Sequence, residues 1–348
     1  MDFSKVSFEE SLERDVVATG KCVSCGTCVL VCPFTCLELV NQKPKIARAC
    51  KVCGICAQTC PRFSWSWPAA ERYVFGRPRK PEEESGIIRR LVTAQAQDPS
   101  VSKVCQDGGV VTALLLYALE NGLIDGAVVA GTCQEKPFLP VPKLVTAREE
   151  LLQCAGTKYC YSPNVLALAE VVKQKKKNVA FVGTPCEIHA VRKMQMAGLK
   201  KYTSPIRLLI GLMCSECFTY GGLMEKHIRD TLHLDLSGIR KMDIKGKMLV
   251  TAETGTTHIA LAEIKQYARG SCHYCDDFSS ELADISAGGL GLDGKTFTIL
   301  RTEKGEELFS KAENAGLLSV RAAENEEFAL SLLRKLSIKK RERVKTAV

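Results

Sequence analysis

The chain has 348 residues, 46% of them hydrophobic and 25% charged, with a formal net charge of +9. That length allows one large domain or two ordinary ones, with a core that needs no covalent staples. No apolar run approaches the roughly 18 residues of a membrane-spanning helix, and the polar, acidic start MDFSKVSFEESLERD lacks the basic and apolar regions of a secretion signal, so a cytoplasmic location is expected.

Residues 1–66 are dense in cysteine. The segment CVSCGTCVLVCP (Cys22–Pro33) returns as CKVCGICAQTCP (Cys50–Pro61). Each copy reads C-x2-C-x2-C-x3-C-P, the two-cluster ferredoxin pattern in which the fourth cysteine serves the other cluster. The first three thiolates wrap one cubane, and the fourth points away to the neighbouring one. Cys22, Cys25, Cys28 and Cys60 are therefore assigned to one [4Fe–4S] cluster, and Cys50, Cys53, Cys56 and Cys32 to the other, in an α+β ferredoxin-like domain. A pair of structural zincs would use two C-x2-C pairs each, which fits the doubled run poorly. Cys36 lies outside the pattern and reads as a packed thiol.

Residues 67–86, WPAAERYVFGRPRKPEEESG, are rich in Pro, Arg and Glu and read as a surface linker. From Ile87 to the end, helical and strand-like segments alternate. Gly109–Asn121 reads as a buried helix, Ala127–Ala130 as a core strand, and Ser162–Val172 as a helix capped by Ser162 with Pro163 in its first turn. Asn178–Gly183 and Ile206–Gly211 read as strands around a helix over Pro185–Ala197. This order predicts an α/β domain with a mostly parallel or mixed central sheet. Leu249–Thr251 and Thr296–Thr302 read as shorter, antiparallel additions. The run Lys173–Lys177 reads as a solvated helix end.

Further cysteines follow. Cys214 and Cys217 form a C-x2-C pair, as do Cys272 and Cys275, and Cys186 opens a helix in VGTPCE. Spacing alone leaves a third metal centre, a zinc site and scattered core thiols all open. Cys105, Cys133, Cys154 and Cys160 have no partner at ligand spacing and read as small buried hydrophobes. The run GLGLDGKT (Gly289–Thr296) satisfies two phosphate-loop patterns, but FTILRT after it reads as a strand, so a nucleotide site is not expected there. The five histidines show no metal-binding spacing; His189, near Cys186, could line a site, with a structural role the simpler reading. The chain ends in an amphipathic helix, Glu326–Leu336, followed by a basic tail. From Arg334 on, seven basic residues stand against Glu342 alone. The body is thus only mildly basic, and no motif supports nucleic-acid binding.

The segments Gln106–Val129, Gly156–Pro163, Val182–Met194, Gly211–Phe218 and Cys272–Gly291 resemble, in order, those of the coenzyme F420 hydrogenase/dehydrogenase beta-subunit family. With the cysteine-rich start, the chain looks most like the electron-input subunit of a membrane-bound reduced-F420 dehydrogenase. That resemblance implies an FAD in the α/β domain, a third [4Fe–4S] cluster on Cys186, Cys214, Cys272 and Cys275, and hydride transfer from reduced F420 to FAD without a protein nucleophile or base. It implies flavin contacts from Gly108, Gly109 and Thr112, from Gly156, Lys158, Tyr159 and Ser162, and from Gly183 and Thr184. Cys217 stands where a polar residue is expected, as an extra thiol or a competing ligand. Arg192 and Lys193 are candidates for the anionic tail of F420, with solvated helix charges as the plainer reading. The expected partners are complex-I-like membrane subunits or ferredoxin, with attachment at the cytoplasmic membrane face, and the basic tail from Arg334 to Val348 is a candidate docking segment. Alternatives within the resemblance are a soluble ferredoxin:F420 oxidoreductase, the beta subunit of a formate dehydrogenase, and a reductase of another substrate such as a pigment; a flavin-free electron wire is a further one.

Overall fold

A computed structural model describes residues 5–346. Strands are numbered along the chain. In the N-terminal unit, β1 (Leu37–Val40) and β2 (Lys43–Ile46) form an antiparallel hairpin. Asn41 and Gln42 turn it with φ of 47° and 61°, the paired left-handed geometry that matches strand twist.

The central sheet contains β3 (Arg90–Ala96), β4 (Gly126–Thr132), β5 (Pro140–Val145), β6 (Val179–Gly183), β7 (Ile206–Leu212), β11 (Ile285–Gly288), β12 (Thr296–Leu300) and β13 (Leu318–Ala322). Their order is β13-β3-β12-β11-β7-β6-β4-β5. The strands β4, β6, β7 and β11 run parallel in the middle, and antiparallel strands extend both sides. The sheet is mixed, and Thr296–Leu300 is antiparallel as expected. Leu249–Thr251 falls in a separate antiparallel sheet of β8 (Ile239–Lys245), β9 (Lys247–Ala252) and β10 (Gly255–Ile259).

Two cores follow from the two faces of this sheet. On one, the apolar helix Val110–Glu120 buries Leu114 and Leu115 with Val92, Ile210 and Phe309. On the other, the helix Pro185–Met196 buries Ile188, Val191 and Met194 with Phe181 and Leu209, and Val23, Val31 and Ala70 join the same core. The N-terminal unit is thus packed on the α/β domain through shared apolar burial, the largest favourable term in folding.

Three expectations change here. The stretch 67–86 opens with a helix, Trp67–Phe75, capped by Ser66 and ended by Gly76 at φ 76°. Ala70 is fully buried, and Arg79 pairs with Glu71 and with Glu281. Pro68 sits at the first helical turn, where it is tolerated, and Glu71, Arg77, Arg79, Glu83 and Glu84 are paired, so composition alone misled. Around Ser162, the backbone makes a 3-10 turn, Asn164–Ala167, before the helix Leu168–Lys173. Ser162 donates its hydroxyl to Asn164 Oδ1 at 2.6 Å instead of capping. The last helix runs from Glu327 to Thr346, through most of the expected tail. Leu333 anchors it, whereas Phe328 is exposed.

Asp284, immediately before β11, ties the sheet to its surroundings. Its fully buried carboxylate accepts from the backbone N–H of Leu209 at 2.7 Å, from Arg192 Nη2 at 3.0 Å and from Thr302 Oγ1 at 3.0 Å, and it pairs with Lys304 at 3.0 Å. Despite burial, the cations Arg192 and Lys304 hold its pKa below the usual carboxylate range. Replacing Asp284 with Ala leaves Arg192 buried and uncompensated. A loss on the order of 3–5 kcal/mol is expected, measured as a lower thermal midpoint of the anoxically purified chain; an unchanged midpoint would contradict this role.

Candidate redox-cofactor sites

The repeated cysteine runs fold alike. Ser24 and Val52, at equivalent positions, have φ of 57° and 52°, and Gly26 and Gly54 have φ of 77° and 70°. Left-handed backbone between the cysteines curls each loop around its own sulfurs. Val52 is β-branched and held there against its preference, the kind of local strain that collects at ligand sites. Two cavities result. One is lined by Cys22, Cys25, Cys28 and Cys60 with Leu12, Val16 and Thr27. The other is lined by Cys32, Cys50, Cys53 and Cys56 with Phe8, Phe34 and Leu37. These are the two sets of four that the alternating pattern pairs.

Donors point at the sulfurs. The N–H of Ser24 reaches Cys22 Sγ at 3.4 Å, the N–H of Cys36 reaches Cys32 Sγ at 3.2 Å, and Thr27 Oγ1 is 3.2 Å from Cys25 Sγ. Burial pushes the thiols of Cys25 and Cys56 up to about 12 and that of Cys60 to about 11. Such thiols ionise only beside a cation, as metal ligands do.

A third group of cysteines lies at the ends of the parallel strands. Cys186 begins the helix after β6, where Thr184 and Glu187 form a capping box; Cys214 follows β7. Cys272 lies in the 3-10 turn Gly270–Tyr274, and Cys275 follows it. Cys214 and Cys217 have their sulfurs 3.8 Å apart, and the N–H of Cys217 points at Cys272 Sγ at 3.5 Å. Cys217, expected as an extra thiol or a competing ligand, lies inside the group. Cations surround it. Lys340 Nζ is 3.2 Å from Cys275 Sγ, and Arg343 donates to the Cys272 carbonyl at 2.6 Å. Arg62 donates to the Tyr274 carbonyl at 2.6 Å, and Arg269, stacked 3.9 Å over the Tyr161 ring, donates to the Val23 carbonyl at 2.9 Å. A thiolate-bound cluster is negatively charged, and this surrounding suits it. Among the described residues, no three His, Cys, Asp or Glu side chains converge on a single-ion position.

The candidate flavin residues fall in two places along the same edge, where open α/β sheets bind ligands. The loop Cys105–Gly109 crosses the end of β3 and leads into the helix Val110–Glu120. An added Cβ at Gly108 would lie 2.3 Å from the Ala94 carbonyl oxygen and 2.6 Å from the Thr296 nitrogen, so that glycine is required by the sheet itself. Gly109, at φ 72°, starts the helix, and Thr112 is on its first turn. Beside this loop lie Gly156, next to the Val104 carbonyl, and Tyr159, which feels the charges of Asp107 and Asp243. The amide oxygen and nitrogen of Gln106 are both buried without a partner, the state expected of groups that meet a ligand. Gln106 and Asp107 were missed in the sequence; their place beside Gly108-Gly109 was the available signal. The second place holds Gly183, Thr184 and Ser162 around Glu187 and Asn164. There Thr184 and Ser162 spend their hydroxyls on neighbouring side chains. Lys158 Nζ likewise spends its donors on the carbonyls of Cys154, Ala155 and Ala130.

Arg192 and Lys193 do not line a pocket mouth. Arg192 is buried on Asp284, Gln195 and the Leu282 carbonyl. Lys193 donates to the carbonyls of Cys60 and Phe63, joining the helix to the cysteine-rich unit. Both occupy helix positions that look solvated in sequence, but this face of the helix is covered. The run GLGLDGKT is a turn leading into β12, without a helix after it.

Two family models match the chain, those of the N-terminal and C-terminal parts of the coenzyme F420 hydrogenase/dehydrogenase beta subunit, over residues 91–169 and 176–326 respectively. The chain belongs to this beta-subunit family. Among its members, the coenzyme F420 hydrogenase subunit beta of Methanothermobacter thermautotrophicus is 38% identical over 263 residues, covering 74% of this chain and 93% of the relative. A subunit of the F(420)H(2) dehydrogenase of Methanosarcina mazei is 31% identical over 311 residues, covering 85% of this chain and 83% of the relative. A chain of the F420-reducing [NiFe] hydrogenase complex from Methanosarcina barkeri superposes with a TM-score of 0.73 at 34% identity, over 76% of this chain and 92% of that one. The five sequence blocks fall within the two matched ranges. The cysteine-rich unit and the last helix lie outside them.

Asp107 offers a test of the glycine-loop site. Burial and, after it, the Asp243 charge raise its pKa to about 6, against a partial opposing pull from Lys241 and Lys245. The folded carboxyl therefore binds its proton more tightly than the unfolded one. Its ionisation costs stability increasingly as pH rises from 3.8 towards about 6, and the cost is constant above that. Without added flavin, Asp107→Asn should raise the thermal midpoint at pH 7 and give a smaller gain at pH 5. An equal gain at both values would show that the charge is not the cause.

Proposed function

We propose that this chain oxidises reduced coenzyme F420 at an FAD and passes the electrons through three [4Fe–4S] clusters to a complex-I-like partner enzyme at the membrane. The observation that carries the reading is the seam between the cysteine-rich unit and the family domain. There Arg62, Arg269 and Lys193 bind across it, beside the third cysteine group and the cavity of Cys22, Cys25, Cys28 and Cys60. A family member with an appended two-cavity unit in direct contact with its own cysteine group is arranged for serial electron transfer. The names of the relatives, one from an F420 hydrogenase and one from an F(420)H(2) dehydrogenase, support the substrate.

When bound, FAD would supply the conversion from a two-electron hydride to single electrons, and the clusters would carry those electrons. The chain's own tasks are placement and charge. Gly108 and Gly109 bring the backbone close to a cofactor and open a helix whose N-terminus suits a diphosphate. The unpaired Gln106 amide offers both a donor and an acceptor. Gly156 and Tyr159 form the facing side. Cys22, Cys25, Cys28 and Cys60 would hold one cluster, Cys32, Cys50, Cys53 and Cys56 a second, and Cys186, Cys214, Cys272 and Cys275 a third, with Cys217 as competitor for the last.

A second reading is favoured by the fate of the basic tail. Arg341 pairs with Glu281, Arg343 with Glu216, and Lys340 is buried, so these three cations face this chain instead of a lipid surface, while Arg334 pairs with Glu84 on the exposed surface. The exposed side of the Cys50 cavity instead carries Phe34, Ile46 and Val52 with the exposed cations Lys45, Arg48 and Lys51. An apolar centre with a basic rim suits a soluble acidic carrier such as ferredoxin. Among the described residues no helix is long and apolar enough to cross a membrane.

The anoxically purified, FAD-loaded protein should bleach or restore F420 absorbance with a one-electron dye, and contain about twelve irons per chain. Brisk NADH turnover without F420 turnover would refute the substrate, and about eight irons would remove the third cluster. Arg48→Glu with Lys51→Glu should leave dye-linked turnover intact, slow electron transfer to ferredoxin at least tenfold at low salt, and flatten its salt dependence. Unchanged transfer to ferredoxin, with co-purification of membrane subunits, would favour the membrane complex.

A further inference from the structure

The helix Glu327–Thr346 begins where the family match ends, at residue 326. Three successive contacts turn its basic end inward. Arg341 Nη2 chelates Glu281 at 2.5 and 2.7 Å, and Arg343 holds the Cys272 carbonyl at 2.6 Å with Glu216 at 3.8 Å. Lys340, only 6% exposed, lies between them. Its ammonium donates to Cys275 Sγ at 3.2 Å and to the Asp277 carbonyl at 2.9 Å. Neither acceptor is a carboxylate, and the nearby Asp277 carboxylate, whose charge also acts on Lys340, is bonded to His189 at 2.9 Å. A buried ammonium is strongly unfavourable unless negative charge faces it. A neutral thiol supplies little, whereas a metal-bound thiolate supplies a full charge.

We propose that Lys340 sets the electron affinity of the cluster held by Cys275 and its neighbours, raising its reduction potential from a helix beyond the family's matched region. The inference rests on the cluster reading above. Reduction adds one electron, and so one negative charge, at the sulfur-bound iron; no bond forms or breaks and no proton is taken up. The positive charge beside Cys275 Sγ stabilises that added negative charge, the lever by which surroundings tune such centres. Lys340 acts through the cysteine and is a positioning residue. Its effect falls with distance, and the Cys50 cavity, beyond the first cysteine run, is the farther of the other two.

The test is an anoxic potentiometric titration followed by electron paramagnetic resonance, on the full chain and on Lys340→Met, Lys340→Gln and Lys340→Arg. Iron analysis accompanies each. In Met and Gln variants the third centre should shift at least tenfold in its one-electron equilibrium, about 59 mV more negative. The Cys50 centre should not move, any shift of the adjoining Cys22 centre should be smaller than that of the third, and Arg should restore the original value. A Gln variant with the original potential would show that the hydrogen bond, not the charge, matters, and would overturn the proposal. So would an unshifted third centre in variants with full iron, or loss of that centre from Met and Gln variants alike with retention only in Arg. Failure of the underlying cluster reading looks different: the unmodified chain itself would then contain about eight irons and two centres.

Discussion

Concentrated sulfur requires positive charge, and the way this chain supplies it organises the molecule. Five cysteines gather here, Cys214, Cys217 and Cys272 in contact, Cys275 against Lys340 and Cys186 within reach of the Cys275 charge, and the cations around them come from distant segments. Arg62 belongs to the N-terminal unit, Arg269 to the loop before the cysteines, and Lys340 and Arg343 to the last helix. Each also binds a backbone carbonyl in another segment. The same charges that suit the sulfur group therefore close the N-terminal unit and the C-terminal helix onto the sheet.

A complementary acidic segment lies behind that group. Asp277, Glu281 and Asp284 are all buried within one stretch of chain. His189 meets Asp277 at 2.9 Å, Arg79 and Arg341 meet Glu281, and Arg192 meets Asp284. Arg301, fully buried, donates to the carbonyls of Ser85, Ile87 and Ser279. These pairs draw on residues from the segment that follows the helix Trp67–Phe75, the helix after β6, and the C-terminal helix. Buried pairs of this kind add little net stability over apolar packing, but they tolerate few alternative arrangements. They fix which segments meet.

The legibility of the sequence followed distance along the chain. The two cysteine runs could be paired from spacing alone, because a ligand loop is a local object and its repeat copies even the left-handed positions Ser24 and Val52. The parallel strands were visible as β-branched runs. The two later C-x2-C pairs left a third centre open as one possibility, but its four ligands were named only through resemblance, since Cys186 and Cys275 share no spacing that chemistry dictates. The tail was misjudged because charge gives sign and number without direction. Nothing in the sequence places Lys340 against Cys275, or turns Arg192 and Lys193 into the covered face of their helix. The composition of residues 67–86 resembled a linker because paired and unpaired charges look identical in a string of letters.

The two tryptophans of the chain both stand at the seam. Trp65 stacks on His189 with ring centroids 4.6 Å apart, Trp67 meets the same ring edge-on at 4.8 Å, and the Trp67 indole N–H donates to Asp276 at 2.6 Å. All indole emission from this protein thus originates at one contact, within reach of quenching by any bound iron. The fluorescence of the molecule is a gauge of whether its two halves are joined, and it is silent about the far edge of the sheet.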